Sequence, residues 1–205
     1  MVRSYGGIPP EQRKAERRER LLTAALDLFT SEGFQQAKIT HLCKLAGVST
    51  RNFYEEFENK EKVLLVLHDS INRLALEHVT ATLAELTDTD AVTRIETLLD
   101  VFVATVTADP RMPRLNYVEA VGVNQELEAQ HQEWVDRWAD FIEAEARHAA
   151  EHGLAPKRNY RLTAIALVGA FTGLLREWQA RELPVGEVTE ELRGLMLAAI
   201  TRMPS

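Results

Sequence analysis

Between Gly33 and Lys62 the chain reads GFQQAKITHLCKLAGVSTRNFYEEFENKEK, and this stretch constrains the fold more than any other. Ile39, Leu42, Cys43 and Ala46 recur at i, i+3, i+4 and i+7, so a short helix there carries one apolar face. Gly47 follows at once, where a left-handed residue ends a helix. Ser49 offers a side-chain oxygen to the first amides of the next helix. That helix sets Phe53 and Phe57 four apart and leaves Thr50, Arg51, Asn52 and Tyr54 on its other faces. Two short helices joined by a tight Gly-containing turn make either an ordinary helical hairpin or a helix-turn-helix, whose second helix fits a DNA major groove. The spacing alone is compatible with both.

Nearly all of the remaining sequence has helical periodicity, and no run of alternating β-branched residues suggests a sheet. Pro9-Pro10 and two glycines mark residues 1–10 as a disordered arm. Helices are expected over about 11–32, 39–46 and 49–56. Asn59 caps a fourth that continues to about 85, with Leu64, Leu67, Ile71, Leu74 and His78 on one face. A polar break at Thr87–Asp90 precedes a helix over about 90–108. Pro110 and Pro113 open an irregular or short helical piece to about 122. Asn124 starts a long helix that ends at Gly153, and two more run over about 157–182 and 187–203. This is an all-α chain.

Charge is distributed unevenly. The net charge of −7 argues against a nucleic-acid partner for the chain as a whole. Residues 1–62, however, hold 11 Lys/Arg against 9 Asp/Glu, a net +2, while residues 63–205 hold 13 against 22, a net −9. A basic end on an acidic body is compatible with a DNA-facing surface, and a solvated helix face explains Arg13, Lys14, Arg17, Arg18 and Arg20 equally well. The single cysteine, Cys43, cannot form an internal disulfide and reads as a small core residue. The N-terminus lacks an apolar secretory stretch, and the longest apolar run, Ala164–Phe171, is too short to span a bilayer. These features fit a cytoplasmic protein without a membrane segment.

Signatures of catalysis are sparse. No nucleophile elbow, P-loop or dinucleotide fingerprint occurs. His148-Ala149-Ala150-Glu151-His152 matches an HxxEH pattern, yet no third ligand is evident and histidines are also favoured at a helix C-terminus. The expectation is therefore no enzyme, no cofactor and no metal. The central helices are rich in aromatics: Phe102, Tyr117, Trp134, Trp138, Phe141, Phe171 and Trp178, with polar Asn116, Glu119 and Gln125 among them. Such a set makes either plain core or a small-molecule cavity. Around 165–178 the chain is apolar on more than one side, with Gly169 and Gly173 four apart, so this helix is buried inside one subunit or packs against a second copy.

The order Ala46-Gly47-Val48-Ser49, Phe53-Tyr54, Phe57, Asn59-Lys60-Glu61 resembles the DNA-binding segment of the TetR family of one-component bacterial transcriptional regulators. Arg20-Leu21-Leu22, Ala24-Ala25, Leu28-Phe29 and Gly33-Phe34 resemble that family's first helix, so the resemblance covers roughly residues 17–68. It implies a three-helix DNA-binding domain over 11–60 and a helical effector-binding and dimerisation domain over 61–205. It implies a homodimer, probing double-stranded operator DNA with Lys38, Ser49, Thr50, Arg51, Asn52, Tyr54 and Lys60, the last as a phosphate contact. Lys38 stands where the family commonly has Thr. Glu55 and Glu56 flank the reading surface, either reading cytosine, discouraging wrong sequences or facing away. The resemblance also implies a repressor that leaves DNA when an apolar or aromatic effector binds among Phe102, Tyr117, Trp134, Trp138 and Phe171. The dimer seam is expected at Phe171, Leu174, Leu175, Trp178, Leu195 and Met196. The alternative function is a helical ligand- or protein-binding dimer without DNA binding.

Overall fold

The computed structural model describes residues 9–86, 90–181 and 183–201, and the expected disordered arm lies mostly outside them. All regular structure among the described residues is helical: α1 (Pro10–Ser31), α2 (Ile39–Ala46), α3 (Thr50–Glu56), α4 (Lys60–Glu85), α5 (Ala91–Thr107), α6 (Arg111–Arg114), α7 (Gln125–Glu151), α8 (Arg161–Arg181) and α9 (Val185–Thr201). A π-helical turn, Leu115–Glu119, continues directly from α6. The chain divides into two compact units, Met1–Leu67 and His68–Ser205. The division therefore falls inside α4, later than the 60/61 boundary read from the sequence. Val63, Leu64 and Leu67 are buried, yet they lie outside the large core of the second unit.

In the first unit α2 packs on both α1 and α3. Leu21, Ala25, Leu28 and Phe29 of α1, Phe34, Leu42 of α2 and Phe53 of α3 are almost wholly removed from solvent. Phe29 and Phe34 meet edge to face with ring centroids 5.0 Å apart. Two ionic contacts join α1 to the end of α3. Arg17 donates from Nε (3.0 Å) and Nη2 (2.5 Å) to Glu56 Oε1. The Arg18 guanidinium lies 4.2 Å from the Phe57 ring centroid and donates to the Glu56 carbonyl.

In the second unit α7 packs along α8, and α9 packs against both α5 and α8. Asp90 caps α5 by accepting from the amides of Val92 (3.0 Å) and Thr93 (3.1 Å). Arg94 forks onto Glu145 at 3.1–3.2 Å and also donates to the carbonyls of Leu83 and Leu86. One side chain thus ties α5 to α7 and to the end of α4. The face of α4 differs from the expected one. Ala75, Val79 and Leu83 continue the buried stripe beyond Ile71, and His78 is exposed, its ring nitrogen 3.2 Å from Thr105 Oγ1. The apolar stripe of a 3.6-residue helix drifts around its axis, and a face assigned from the first turns alone follows the wrong residue further on. α8 begins at Arg161 rather than near 157, with the Asn159 side chain accepting from the Arg161 amide (2.8 Å). No described helix is long and apolar enough to cross a membrane.

Candidate DNA-contacting face and effector cavity

The helix-turn-helix is built by local chemistry. Gly47 ends α2 with φ 62°, ψ 36°, and the Val48 amide donates back to the Cys43 carbonyl (2.9 Å). Ser49 then caps α3 by accepting from the Asn52 amide (3.1 Å). An added Cβ at Gly47 would touch nothing within 4 Å, so the glycine is required by backbone conformation alone. Gly47→Ala is therefore expected to cost about 1–2 kcal/mol, the left-handed penalty of a residue with a Cβ, measured as a drop in the urea midpoint.

α3 is sharply two-sided. Phe53 and Phe57 are buried, with ring centroids 6.0 Å apart. On the other side the Arg51 side chain is 89% exposed, with Glu55 Oε1 3.5 Å from its Nε. Tyr54 is exposed and stands edge-on to Phe53. Thr50 is exposed as a residue, and its hydroxyl is hydrogen-bonded to the Cys43 thiol. Burial pushes the Cys43 thiol up, and that bond offsets the shift only in part, in keeping with a small core residue. Asn52 is half-buried. Lys38 is exposed at the start of α2 and gives no side-chain cap; its carbonyl accepts from the amides of His41 and Leu42.

Lys60, Glu56 and Glu55 all make contacts within the first unit. Lys60, expected on a phosphate, donates from Nζ to the carbonyls of Phe34 (2.8 Å), Gln35 (3.1 Å) and Ala37 (3.1 Å). It also lies 4.6 Å from the Phe34 ring centroid. Three donors meet three acceptors, so the ammonium closes the loop between α1 and α2. Glu56 faces away from the reading surface: its side chain is 1% exposed and held by Arg17. Glu55 stays on the surface between Arg51 and Arg17.

The second unit brings the five expected effector residues to one place. Phe102, Tyr117, Trp134, Trp138 and Phe171 all line a cavity of about 40 Å³. Leu98, Val135, Ile142, Val168 and Thr172 complete most of its wall. Phe102 stands at the centre, edge to face with Trp138 (5.2 Å) and Phe171 (5.3 Å). The π-helical turn, closed by the Ala120 amide donating to the Leu115 carbonyl (3.0 Å), aims consecutive Asn116 and Tyr117 at the cavity. A π-turn in a helix often marks a functional position. Burial raises the Tyr117 phenol to about 12.

The polar groups of this wall include two that the sequence reading missed. Asn72 donates from Nδ2 to the His68 carbonyl (2.9 Å) and to Asn116 Oδ1 (3.1 Å), and its Oδ1 accepts from Trp138 Nε1 (3.4 Å). His131 also lines the cavity. A signal for Asn72 was present in the sequence: it lies one turn after His68 on the otherwise apolar stripe of α4. Glu119 and Gln125 do not line the cavity; Glu119 pairs with Arg114 (3.2 Å) and Gln125 is exposed at the start of α7.

His68 couples this region to pH. Burial, followed by the neighbouring His131, lowers its pKa from 6.5 to about 4, against the opposing pull of Gln130 and Asp69. The folded protein therefore holds a neutral imidazole where the unfolded chain takes up a proton first. Stability is fully present above pH 6.5 and falls as the pH drops from 6.5 towards 4. His68→Gln should flatten that fall, read as the difference in urea midpoint between pH 7.5 and pH 5.

Among the expected dimer residues, Phe171, Leu175 and Met196 point into their own subunit and are buried there. A helix apolar on several sides does not declare from its sequence which side faces inward. Leu174 and Trp178 are half-buried, and Leu195 is exposed. The outward side of α8 carries Leu162 (81% exposed) and Ile165, with Gly169 and Gly173 having nothing within 4 Å of an added Cβ. At the HxxEH pattern, His148 and His152 stack with centroids 4.3 Å apart, and His152 Nδ1 lies 2.8 Å from the His148 carbonyl. Among the described residues no group of three His, Cys, Asp or Glu side chains is placed to hold a metal ion.

Comparison with known proteins agrees with this geometry. Residues 21–67 match the sequence profile of the bacterial regulatory proteins, tetR family. The uncharacterized HTH-type transcriptional regulator YdgC of Bacillus subtilis (strain 168) is 36% identical over 63 residues, which is 29% of this chain. The match spans about a third (32%) of that relative's length. Among solved structures, the fatty acid degradation regulator FadR from Bacillus halodurans has a TM-score of 0.78 at 19% identity, over 93% of this chain and 96% of that one. AibR, solved in complex with isovaleryl coenzyme A and operator DNA, has a TM-score of 0.68 at 17% identity, over 87% and 97%. At these identities the structural likeness concerns the fold.

Proposed function

We propose that this chain, whose residues 21–67 match the bacterial regulatory proteins, tetR family, is a homodimeric, sequence-specific DNA-binding repressor released from its operator by a small apolar or aromatic molecule. The observation that carries the DNA-binding part is the two-sidedness of α3, with Phe53 and Phe57 buried and the Arg51 fork presented to solvent. A guanidinium on the exposed face of a recognition helix matches guanine O6 and N7. The AibR complex, which contains operator DNA, supports this use of the fold. Two copies would read half-sites about 34–36 Å apart, one turn of the duplex.

The outward side of α8 supports the dimer, since its two exposed glycines permit close approach of a second backbone beside Leu162 and Ile165. Ile165→Glu should give a folded monomer that has lost most of its operator affinity, whereas Phe171→Glu should unfold the second unit by burying an unpaired charge. Sedimentation and circular dichroism of the two variants check this. A wild-type protein that sediments as a monomer would refute the dimer.

The effector arm follows from the cavity's size. Ligand sites for drug-sized molecules occupy roughly 300–1,000 Å³, and the cavity here has about 40 Å³. A ligand of that size enters only by pushing the aromatic wall apart, so binding and movement are one event. Asn72 and Lys60 lie on one continuous helix, α4. Movement at Asn72 is therefore transmitted along the helix that holds the loop between α1 and α2. Typical couplings of this kind are about 1–3 kcal/mol and act equally in both directions. Gel-shift titration with pure protein tests the DNA-binding reading, and the same titration with a bound ligand tests release.

A further inference from the structure

The aromatic cavity has an annex. A second cavity of about 100 Å³ is lined by His68, Asn116, Ala120, Val121, Glu128 and His131. Asn116 and His131 line both spaces and so stand at their junction. The aromatic cavity has five Phe, Tyr and Trp rings in its wall, and the second one offers imidazole, amide and carboxylate groups.

The electrostatics of the annex are one-sided. Among the described residues no Lys or Arg lines either cavity. Glu128 supplies a carboxylate, and the buried His68 imidazole is neutral at pH 7. The cations of the same helices are turned to other work: Arg73 lies 3.7 Å from Asp69, and the Arg137 guanidinium lies over the Trp134 ring. Two of the first four amides of α7 are also taken, since Leu127 donates to the Asn124 side chain and Glu128 to the Asn124 carbonyl. An anionic head group brought here would meet the Glu128 carboxylate and neither lysine nor arginine, which is costly in a partly dehydrated space. A hydroxyl can be satisfied by an amide or imidazole, and an ammonium gains the Glu128 carboxylate.

We propose that the effector site is bipartite and selects a neutral or cationic aromatic amphiphile, with its ring in the aromatic cavity and its hydroxyl or ammonium head beside Asn116, His131 and Glu128, while rejecting the matching carboxylate. This rests on the reading of the second unit as an effector domain and specifies the charge of the ligand it takes.

The test uses the full chain at pH 7.5 and three probes that share one skeleton: 2-phenylethylamine, 2-phenylethanol and phenylacetate. Tryptophan fluorescence reports binding, because Trp134 and Trp138 line the aromatic cavity, and thermal shift supplies a second reading by mass action. The amine and the alcohol should both saturate, the amine at least threefold tighter, and phenylacetate should bind at least tenfold more weakly than the alcohol. Glu128→Gln, a change at an exposed side chain, should abolish the amine's preference over the alcohol. Phenylacetate binding as well as the alcohol, or an amine preference that survives Glu128→Gln, would overturn the selectivity while leaving the cavity as an effector site. Failure of all three probes to saturate would overturn the cavity reading itself, and this inference with it.

Discussion

Lys60→Met should destabilise the first unit by about 2–4 kcal/mol, more than an ordinary surface substitution. A single hydrogen bond to a charged group is worth about 1.5–3 kcal/mol, and this side chain makes three, to the carbonyls of Phe34, Gln35 and Ala37. The methionine keeps much of the stem's apolar contact, so the loss isolates the ammonium. Urea unfolding followed by a probe in the first unit measures it. The expected signature is a lower midpoint at low and at high salt, with DNA affinity falling because the reading domain is partly unfolded. A lysine that served only as a phosphate contact would behave otherwise. Its removal would leave the midpoint in place and flatten the salt dependence of DNA binding by about one unit per subunit.

Arg51→Ala should act in the opposite way, with stability unchanged and DNA discrimination reduced. The side chain is 89% exposed and pairs with the i+4 Glu55, an exposed pair worth little. A bidentate arginine–guanine contact is worth about 1–3 kcal/mol. Loss at both half-sites of a dimer therefore amounts to about 2–6 kcal/mol, confined to sequences that carry the guanine. Competition binding with operators altered at single base pairs shows this as relaxed preference at one position per half-site. Equal weakening on all sequences would reduce Arg51 to a phosphate contact.

These two residues mark what the sequence makes legible. The turn between α2 and α3 is local chemistry: Gly47 in the left-handed region, the Ser49 cap and the Phe53–Phe57 spacing all lie within eleven residues. Such features follow from rules that act over one helical turn. The role of Lys60 depends on carbonyls 23 to 26 residues away, and that of Glu56 on an arginine 39 residues away, so spacing alone does not reveal either. The same limit governs α8 and α9. Their apolar content is evident, but the side of α8 that holds Phe171 and Leu175 faces inward only because α7 and α9 happen to pack there. The aromatic residues of the cavity were legible as a group by composition and family resemblance. Asn72 and His131 came from helices whose relative rotation no periodicity fixes.

The central claim is sequence-specific DNA recognition by α3, and selection of random duplex DNA by the purified protein, followed by sequencing, tests it most directly. The expected result is an enriched inverted repeat with half-sites centred about 10–10.5 base pairs apart, or a multiple of that spacing. Each half-site should carry a guanine whose enrichment disappears for Arg51→Ala. No enriched sequence from a folded wild-type dimer would contradict the account and leave a helical ligand- or protein-binding dimer in its place.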